Sequence, residues 1–377
     1  MRPTFAEINL NNLKNNFLNI RKKVRNAKIM AVVKADAYGH GVKEVVDLYN
    51  SLGNKRPEYF AVAICDEALE LRKNNVKQPV LVFDPFEKSE AETVFKYNIM
   101  PTVFNNSHLD ILLKAGNKLA TKNSAGKKIK VHVKIDTGMN RLGINSDEAV
   151  PFIEKLSKNE KFLIDGIYTH FATSDDKDKT FANIQLKRFK DLLDELKKRN
   201  INYGLAHAAN SGAILDMPDS YFDMIRPGIC LYGYYPSLET SESIELKPVM
   251  SLISRVASVK TISKNDTVGY GQTFTAKTRT KIVSVPIGYA DGYNRNLSNK
   301  AKAVINGKQY NLIGRVAMDR IMFNVKSDDV KVNDKVILIG KENGVQVTAW
   351  DWSKLLDTIP YEVTCNISKR VPRVYKK

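Results

Sequence analysis

The sequence predicts an N-terminal (β/α)8 TIM-type barrel followed by a C-terminal all-β domain, and three observations lead there. Its 377 residues exceed the roughly 100–200 of an ordinary single domain. Over the first two-thirds, short apolar runs alternate with segments of helical period. Beyond about residue 242 that alternation stops, and strand-like runs separated by turn dipeptides take over. Hydrophobic residues make up 43% of the chain and aromatics 9%, enough apolar side chain for a sizeable core, which excludes a disordered or low-complexity chain.

Eight strand candidates fall in order at residues 29–33, 59–63, 80–83, 99–103, 130–135, 164–169, 203–206 and 224–231. They are short, often β-branched and mostly without period-two alternation, as strands buried on both faces should be. Amphipathic stretches at 43–52, 66–74, 107–115, 146–157 and 181–199 lie between them. Asp147 and Glu148, just after Ser146, suit the cap and first turn of the helix over 146–157. Eight alternations in this span meet the requirement of a barrel, although an open doubly wound sheet has the same count.

The runs at 249–262, 281–287, 301–305, 310–313, 321–325 and 335–339 read as strands, with turn chemistry at Asn265-Asp266 and the hairpin dipeptide Asn306-Gly307. Helical signal returns only at 350–356. The organisation expected is therefore a barrel over 1–242 and an all-β domain over 243–377. Residues 4–10 precede the first barrel helix and are available to pair with the β domain. The chain shows no internal repeat and no linker long enough to let two domains drift apart.

Fifty-nine Lys and Arg against 41 Asp and Glu give a formal charge of +18. The basic residues never run beyond three together, as in Arg21-Lys22-Lys23, and they are interleaved with acids, as in Asp194-Glu195-Leu196-Lys197-Lys198. That pattern reads as solvated faces rather than a nucleic-acid footprint, and no nucleic-acid recognition motif accompanies it. No stretch has the ~18 uninterrupted apolar residues of a membrane span, and the N-terminus does not read as a secretory signal. Cys65, Cys230 and Cys365 stand far apart, in neither metal-ligand nor disulfide-scaffold spacing. A reducing, cytoplasmic compartment fits these features, with no nucleic-acid, membrane or metal partner.

The strongest chemical signal is Ala31-Val32-Val33-Lys34-Ala35-Asp36-Ala37-Tyr38-Gly39-His40-Gly41, a lysine at the end of a buried strand followed by a glycine-flanked loop. The C-terminal end of a barrel strand is where barrel enzymes keep their active sites. A desolvated lysine there can act as a Schiff-base nucleophile, while a lysine snorkelling from a strand end is the plain structural reading. Ser211 reads equally as a helix N-cap, Gly228 as a Pro-Gly turn, and His170 as a satisfied structural histidine.

The lysine segment resembles the pyridoxal-phosphate lysine motif of the bacterial alanine racemases, and the similarity runs along essentially the whole chain. It begins at Arg2-Pro3-Thr4-Phe5-Ala6-Glu7-Ile8 and continues through Lys134-Ile135-Asp136-Thr137-Gly138-Met139-Asn140-Arg141-Leu142-Gly143. Tyr168-Thr169-His170-Phe171-Ala172, Ala209-Asn210-Ser211 and Ile225-Arg226-Pro227-Gly228-Ile229 follow in order. The β region supplies Gly269-Tyr270-Gly271, Pro286-Ile287-Gly288-Tyr289-Ala290-Asp291, Ala317-Met318-Asp319 and Pro360-Tyr361-Glu362.

The resemblance implies that Lys34 holds pyridoxal 5'-phosphate covalently, and that Tyr38, Asn210, Ser211, Gly228, Ile229 and Tyr361 surround its phosphate. It implies Arg226 at the pyridine nitrogen. An arginine donates but does not readily give up a proton, whereas a same-fold decarboxylase would place a carboxylate there. Racemisation of L- and D-alanine needs bases on two faces, and the resemblance assigns them to Lys34 and Tyr270. A phenol is a weak base at neutral pH, and His170 is its implied hydrogen-bond partner. Arg141 would hold the cofactor's phenolic oxygen and the substrate carboxylate. Met318, through its backbone N–H, and Asp319 would complete the carboxylate pocket and entrance, and Tyr289 would narrow the entrance. Lys134 matches a lysine often carbamylated in this family, a plain strand-end lysine being the alternative.

A homodimer with active sites shared between barrel and partner β domain is implied, with D-alanine supplied to cell-wall peptidoglycan. Racemisation of another small amino acid such as serine stays open, because a small pocket rejects one extra hydroxyl only weakly. Three positions depart from the family pattern. Asn140 stands where glycine is common, Gly269 where serine is common, and Asp36 where asparagine is frequent.

Overall fold

The computed structural model describes residues 3–119 and 128–377. Arg2, which opens the N-terminal motif, lies outside them. The described residues divide into two compact units: residues 14–37 with 42–119 and 128–247, and residues 3–13, 38–41 and 248–377.

The first unit is the barrel. Strand β1 (Phe5–Asn9) belongs to the second unit, and the barrel strands are β2 (Lys28–Val32), β3 (Tyr59–Val62), β4 (Val80–Val82), β5 (Met100–Val103), β6 (Ile129–Asp136), β8 (Phe162–Tyr168), β9 (Leu205–His207) and β10 (Met224–Ile225). Each pairs in parallel with the next, and β10 pairs with β2 to close the ring. A short β7 (Ile144–Asn145) adds to the edge of β6. The open-sheet alternative is excluded by this closure. Helices such as Val42–Asn50, Cys65–Lys73, Ser146–Ser157 and Thr180–Lys198 follow the amphipathic stretches, turning Val45, Leu71, Ile153 and Leu193 inward.

The last barrel strand is shorter than its apolar run. It stops at Ile225, and Ile229–Tyr232 form a 3-10 turn instead. Pro227 has no N–H to extend a ladder, although its carbonyl still accepts from Val32 N at 3.1 Å.

The loop after β2 also differs from an ordinary glycine-flanked loop. Ala35, Asp36, Ala37 and Tyr38 all have φ between 51° and 55°, and Gly39 has 81°. This is a left-handed turn built largely from non-glycine residues, which costs about 1–2 kcal/mol per residue. Local bonds hold it. Glu67 accepts Ala35 N at 2.6 Å and Ala63 N at 2.8 Å, Ala37 N reaches Val33 O at 3.0 Å, and the Asp36 carboxylate accepts Val42 N at 2.7 Å. Asp36 suits the turn because Asp and Asn tolerate positive φ better than most residues.

The second unit is β-rich. In chain order it adds β11 (Met250–Arg255), β12 (Ser258–Ile262), β13 (Thr267–Val268), β14 (Phe274–Thr275), β15 (Thr280–Val285), β16 (Lys302–Ile305), β17 (Lys308–Ile313), β18 (Ile321–Lys326), β19 (Lys335–Glu342), β20 (Val345–Val347) and β21 (Arg373–Lys376). The single run expected at 249–262 is two strands. Its ladder breaks at Val256 and Ala257, whose N–H groups turn to Asp334 O and Ser284 O. As expected, β1 joins this unit, antiparallel to β11; it is also parallel to β21. Asn306 and Gly307, at φ 51° and 73°, turn the β16–β17 hairpin. Two short helices, Ala349–Leu356 and Pro360–Cys365, complete the unit.

Within this unit the guanidinium of Arg373 donates to four carbonyls: Gly39, Ser368, Val371 and Ile367, at 2.6–3.0 Å. Gly39 has no room for a side chain, since a Cβ would sit 2.3 Å from Thr364 O. Gly53, at φ 60°, faces open space. Gly39→Ala should therefore destabilise by about 3 kcal/mol or more, and Gly53→Ala by only the ~1–2 kcal/mol of the backbone conformation. Chemical denaturation of the two variants checks the ranking, and equal losses would contradict the steric account.

Candidate active site

The expected barrel residues gather at the C-terminal ends of the strands. Lys34 follows β2, Lys134 lies near the end of β6, Arg141 is in the loop after it, and His170 comes two residues beyond β8. Asn210 caps the helix Ser211–Asp216 after β9, its side chain accepting Ala213 N at 3.2 Å. Arg226 directly follows β10.

Arg226 is buried, and its partners settle the protonation of those around it. One terminal nitrogen, Nη1, meets His207 Nδ1 at 2.9 Å. The other, Nη2, donates to Thr169 O at 2.6 Å and Ala208 O at 2.9 Å, and meets His170 Nδ1 at 3.3 Å. A guanidinium only donates, so both histidines accept at Nδ1 and carry their proton on Nε2. His207 Nε2 then donates to His132 Nδ1, 2.9 Å away. His132 in turn presents Nε2–H towards Asp165 at 3.6 Å, an electrostatic contact beyond hydrogen-bond reach. Lys130 Nζ at 3.0 Å and Tyr59 OH at 3.0 Å also hold that carboxylate.

The barrel mouth is rich in cations. Burial holds the His170 imidazole well below the ordinary histidine range, and Arg226, Lys134, Arg141 and Lys34 push it the same way. Burial lowers the Lys134 ammonium well below the usual lysine range, with Arg226 and Arg141 adding to it. Even arginine responds, burial bringing Arg226 down to about 10. The aromatic Tyr168 lies among them. Its ring stacks on His207 with centroids 4.9 Å apart, while Lys134 Nζ and Arg226 Cζ sit 4.8 and 5.3 Å from the ring centre. Its hydroxyl donates to Thr102 Oγ1, because Thr102 already donates to Val82 O. Burial pushes that phenol up to about 12.

These residues fit a ligand bearing several negative oxygens and a neutral ring nitrogen. Lys34, Arg141 and Arg226 supply charge, and Arg226 is held by carbonyls and imidazoles with no carboxylate among them. Ser211 Oγ accepts Gly228 N at 3.0 Å and Cys230 N at 3.4 Å, which draws the Ser211 and Gly228–Ile229 backbones together as an anion cradle.

The β-rich unit carries the remaining expected residues. Tyr270 heads a 3-10 turn between Gly269 and Gly271, both at positive φ, and is 73% exposed. Met318 and Tyr289 are 52% and 43% exposed. Tyr38 and Tyr361 face each other, ring centres 6.0 Å apart. Two departures from the family pattern now have a physical reading. Asn140 adopts φ 56°, which Asn tolerates better than most residues, and its N–H is held by Asp136 at 3.1 Å. Gly269, at φ 73°, adopts a conformation that glycine takes without strain.

Sequence reading gave no role to His132, His207, Asp165 and Tyr168. The available signal was a polar residue inside an apolar strand, as in Val131-His132-Val133 and Leu205-Ala206-His207, since such groups are buried only with partners. Gln185 is fully buried too, and holds the His170 segment through His170 O at 3.0 Å and Ala172 N at 2.9 Å.

This fold and this cation-lined mouth are those of a barrel enzyme that takes an anionic ligand, and comparison with known proteins supplies its class. The alanine racemase N-terminal domain matches residues 8–236 and the alanine racemase C-terminal domain matches residues 249–375. Alanine racemase 2 of Caldanaerobacter subterraneus subsp. tengcongensis is 43% identical over 378 residues, covering 100% of this chain and 95% of its own. The alanine racemase structure from Clostridium difficile superposes with a TM-score of 0.92 at 39% identity, over 99% of this chain and 96% of that one. That from E. faecalis gives 0.91 at 33% identity, over 100% and 98%. The chain belongs to the alanine racemase family, and its enzyme class is that of an amino-acid isomerase.

The neutral histidines make stability depend on pH. Burial lowers His132, His170 and His207 from the ordinary value, so the unfolded chain takes up protons below about pH 6.5 that the folded chain refuses. Their contribution is complete above that pH and falls on acidification. Each histidine adds up to about 1.4 kcal/mol per pH unit to the slope. Urea denaturation between pH 7 and 5 should show this loss, with His207→Gln flattening it by about one histidine's share. An unchanged slope in that variant would mean His207 is already protonated in the fold.

Proposed function

We propose that this protein interconverts L- and D-alanine with pyridoxal 5'-phosphate, as a homodimer in the cytoplasm, supplying D-alanine for cell-wall peptidoglycan. The observation that carries the reading is Arg226, a buried guanidinium fixed by neutral histidines at the mouth of a barrel whose first strand leads into Lys34. Full-length similarity to proteins named alanine racemase supports the substrate, as does a Bacillus anthracis relative whose crystal structure is described with bound L-Ala-P.

Lys34 would hold the cofactor through its amine. Ser211, Gly228 and Ile229, with Asn210 behind them and Tyr38 and Tyr361, would receive its phosphate, and Arg226 would donate to its ring nitrogen. Bound there, pyridoxal phosphate supplies the electron sink that acidifies the substrate α-carbon. Arg141 would hold the cofactor's phenolic oxygen and the substrate carboxylate, the latter with the Met318 N–H, while Asp319 would complete the pocket and its entrance. The Lys34 amine would move the α-proton on one face, and the Tyr270 hydroxyl on the other. His170, with its proton on Nε2, can donate to a tyrosine oxygen and so favour the phenolate, while Nδ1 stays engaged with Arg226. Burial, with Arg226 and Arg141 nearby, shifts Lys134 towards its neutral amine, the form that adds carbon dioxide, and a carbamate there would give Arg141 an anion to bind.

Tyr270, Met318 and Tyr289 stand exposed on the β-rich unit, as residues offered to a second subunit would. In the proposed dimer each barrel mouth is closed by the partner's β-rich domain, and two-fold symmetry makes two such sites. Lys34→Ala should abolish racemisation, because one substitution removes both the anchor and a base. Tyr270→Phe should be nearly inactive yet still exchange the α-proton of one alanine enantiomer with deuterated solvent. Mixing the two dead homodimers under reassociating conditions should restore activity, because the mixed dimer has one site with both bases intact. Formation of heterodimers without activity would overturn the shared site, and equal exchange of both enantiomers by Tyr270→Phe would overturn the two-face assignment.

A further inference from the structure

The two turns assigned above to the substrate carboxylate and the entrance are stitched together through their backbones. Tyr289 N donates to Ala317 O at 3.0 Å, and Ala290 N donates to Met318 O at 3.2 Å. Gly288 permits this approach, since a Cβ there would sit 2.2 Å from Ala317 O and 2.3 Å from Met318 O. Asp291, fully buried, accepts Gly288 N at 3.0 Å and so shapes the first turn from within.

A third segment spans both turns. Ser368 N donates to Asp291 O at 3.1 Å, and its Oγ donates to Ala290 O at 3.0 Å. Two residues on, the Arg370 side chain reaches a carboxylate of each turn. Its Nη2 donates to Asp319 Oδ1 at 2.7 Å, and its Nε faces Asp291 Oδ1 at 3.5 Å.

We propose that Arg370 is a positioning residue that latches the Met318–Asp319 turn to the Tyr289–Asp291 turn, and thereby sets the preference for alanine over bulkier small amino acids. This rests on the proposed racemase reading. Arg370 and Asp319 are about half exposed, at 49% and 53%, and such pairs contribute little to stability. The latch works through geometry. A guanidinium addresses two carboxylates from separate nitrogens in one plane, whereas a lysine offers a single point charge on a flexible stem. With the latch gone, the Met318 turn keeps its backbone bonds but Asp319 is free to swing, so the carboxylate pocket loosens and the entrance widens.

Steady-state kinetics with L-alanine and L-serine on wild type, Arg370→Ala, Arg370→Lys and Asp319→Asn test this. Arg370→Ala should keep kcat for alanine within about twofold and raise KM by roughly 1.5–5-fold, the range of a lost exposed charge pair. The serine-to-alanine ratio of kcat/KM should rise severalfold. Arg370→Lys should recover only part of the KM, and adding Asp319→Asn to Arg370→Ala should cost little more than either change alone. A residue that merely supported the fold would lower kcat for both substrates together and leave their ratio unchanged. That result, or an unaltered KM, overturns the proposal. If Arg370→Ala folds poorly, Arg370→Gln, which also removes the charge, reads the same KM and ratio. Wild-type protein that racemises neither amino acid overturns the functional reading itself, and the latch with it.

Discussion

The interaction on which the rest of this active site depends is the capture of the Arg226 guanidinium by acceptors that carry no charge. A buried cation ordinarily takes a carboxylate as its partner. Arg226 takes two backbone carbonyls and two imidazole nitrogens instead. Since the guanidinium can only donate, it dictates which nitrogen of His170 and His207 holds the proton. The nearest link to an anion runs through His207 and His132 to Asp165, deep in the barrel. The arginine keeps its charge, and that charge stays unneutralised at the mouth, where it is most useful to a ligand.

The same choice explains other features of the mouth. Burial lowers both Lys134 and His170, and the Arg226 charge, with no carboxylate to offset it, pushes them further the same way. Tyr168 lets cations come close by offering ring face to Lys134 and Arg226 and stacking on His207. The left-handed turn after Lys34 is a second investment of folding energy at the site. Four non-glycine residues hold a conformation that costs roughly 4–8 kcal/mol in sum, and Glu67, Asp36 and Arg373 secure it. Strain kept in place by surrounding structure marks functional positions.

Much of the architecture was legible in the sequence because it rests on periodicity. The eight short apolar runs became the closed ring, Asn306-Gly307 became a hairpin, and residues 4–10 contained a strand paired with the β-rich unit. What failed did so for local reasons. The run at 224–231 reads as a strand by composition, but Pro227 ends the ladder, and 249–262 breaks where two N–H groups find other carbonyls. The left-handed turn leaves no trace in composition, since Ala35-Asp36-Ala37-Tyr38 would suit a right-handed helix as well. Lys34, Lys134, His170, Ser211 and Arg226 were legible as a set through their motifs. The relay behind them was not, because His132, Asp165 and His207 lie far apart in sequence and meet only when the barrel closes.

The central claim is that Arg226 stays a full donor and holds His170 and His207 as neutral, Nε2-protonated imidazoles. Neutron diffraction from deuterium-exchanged crystals near neutral pH tests it most directly, since it locates the exchanged protons. The account predicts deuterium on every nitrogen of Arg226 and on Nε2 of both histidines, with none on either Nδ1. Deuterium on Nδ1 of His170 or His207, whether as imidazolium or as the other tautomer, would contradict it.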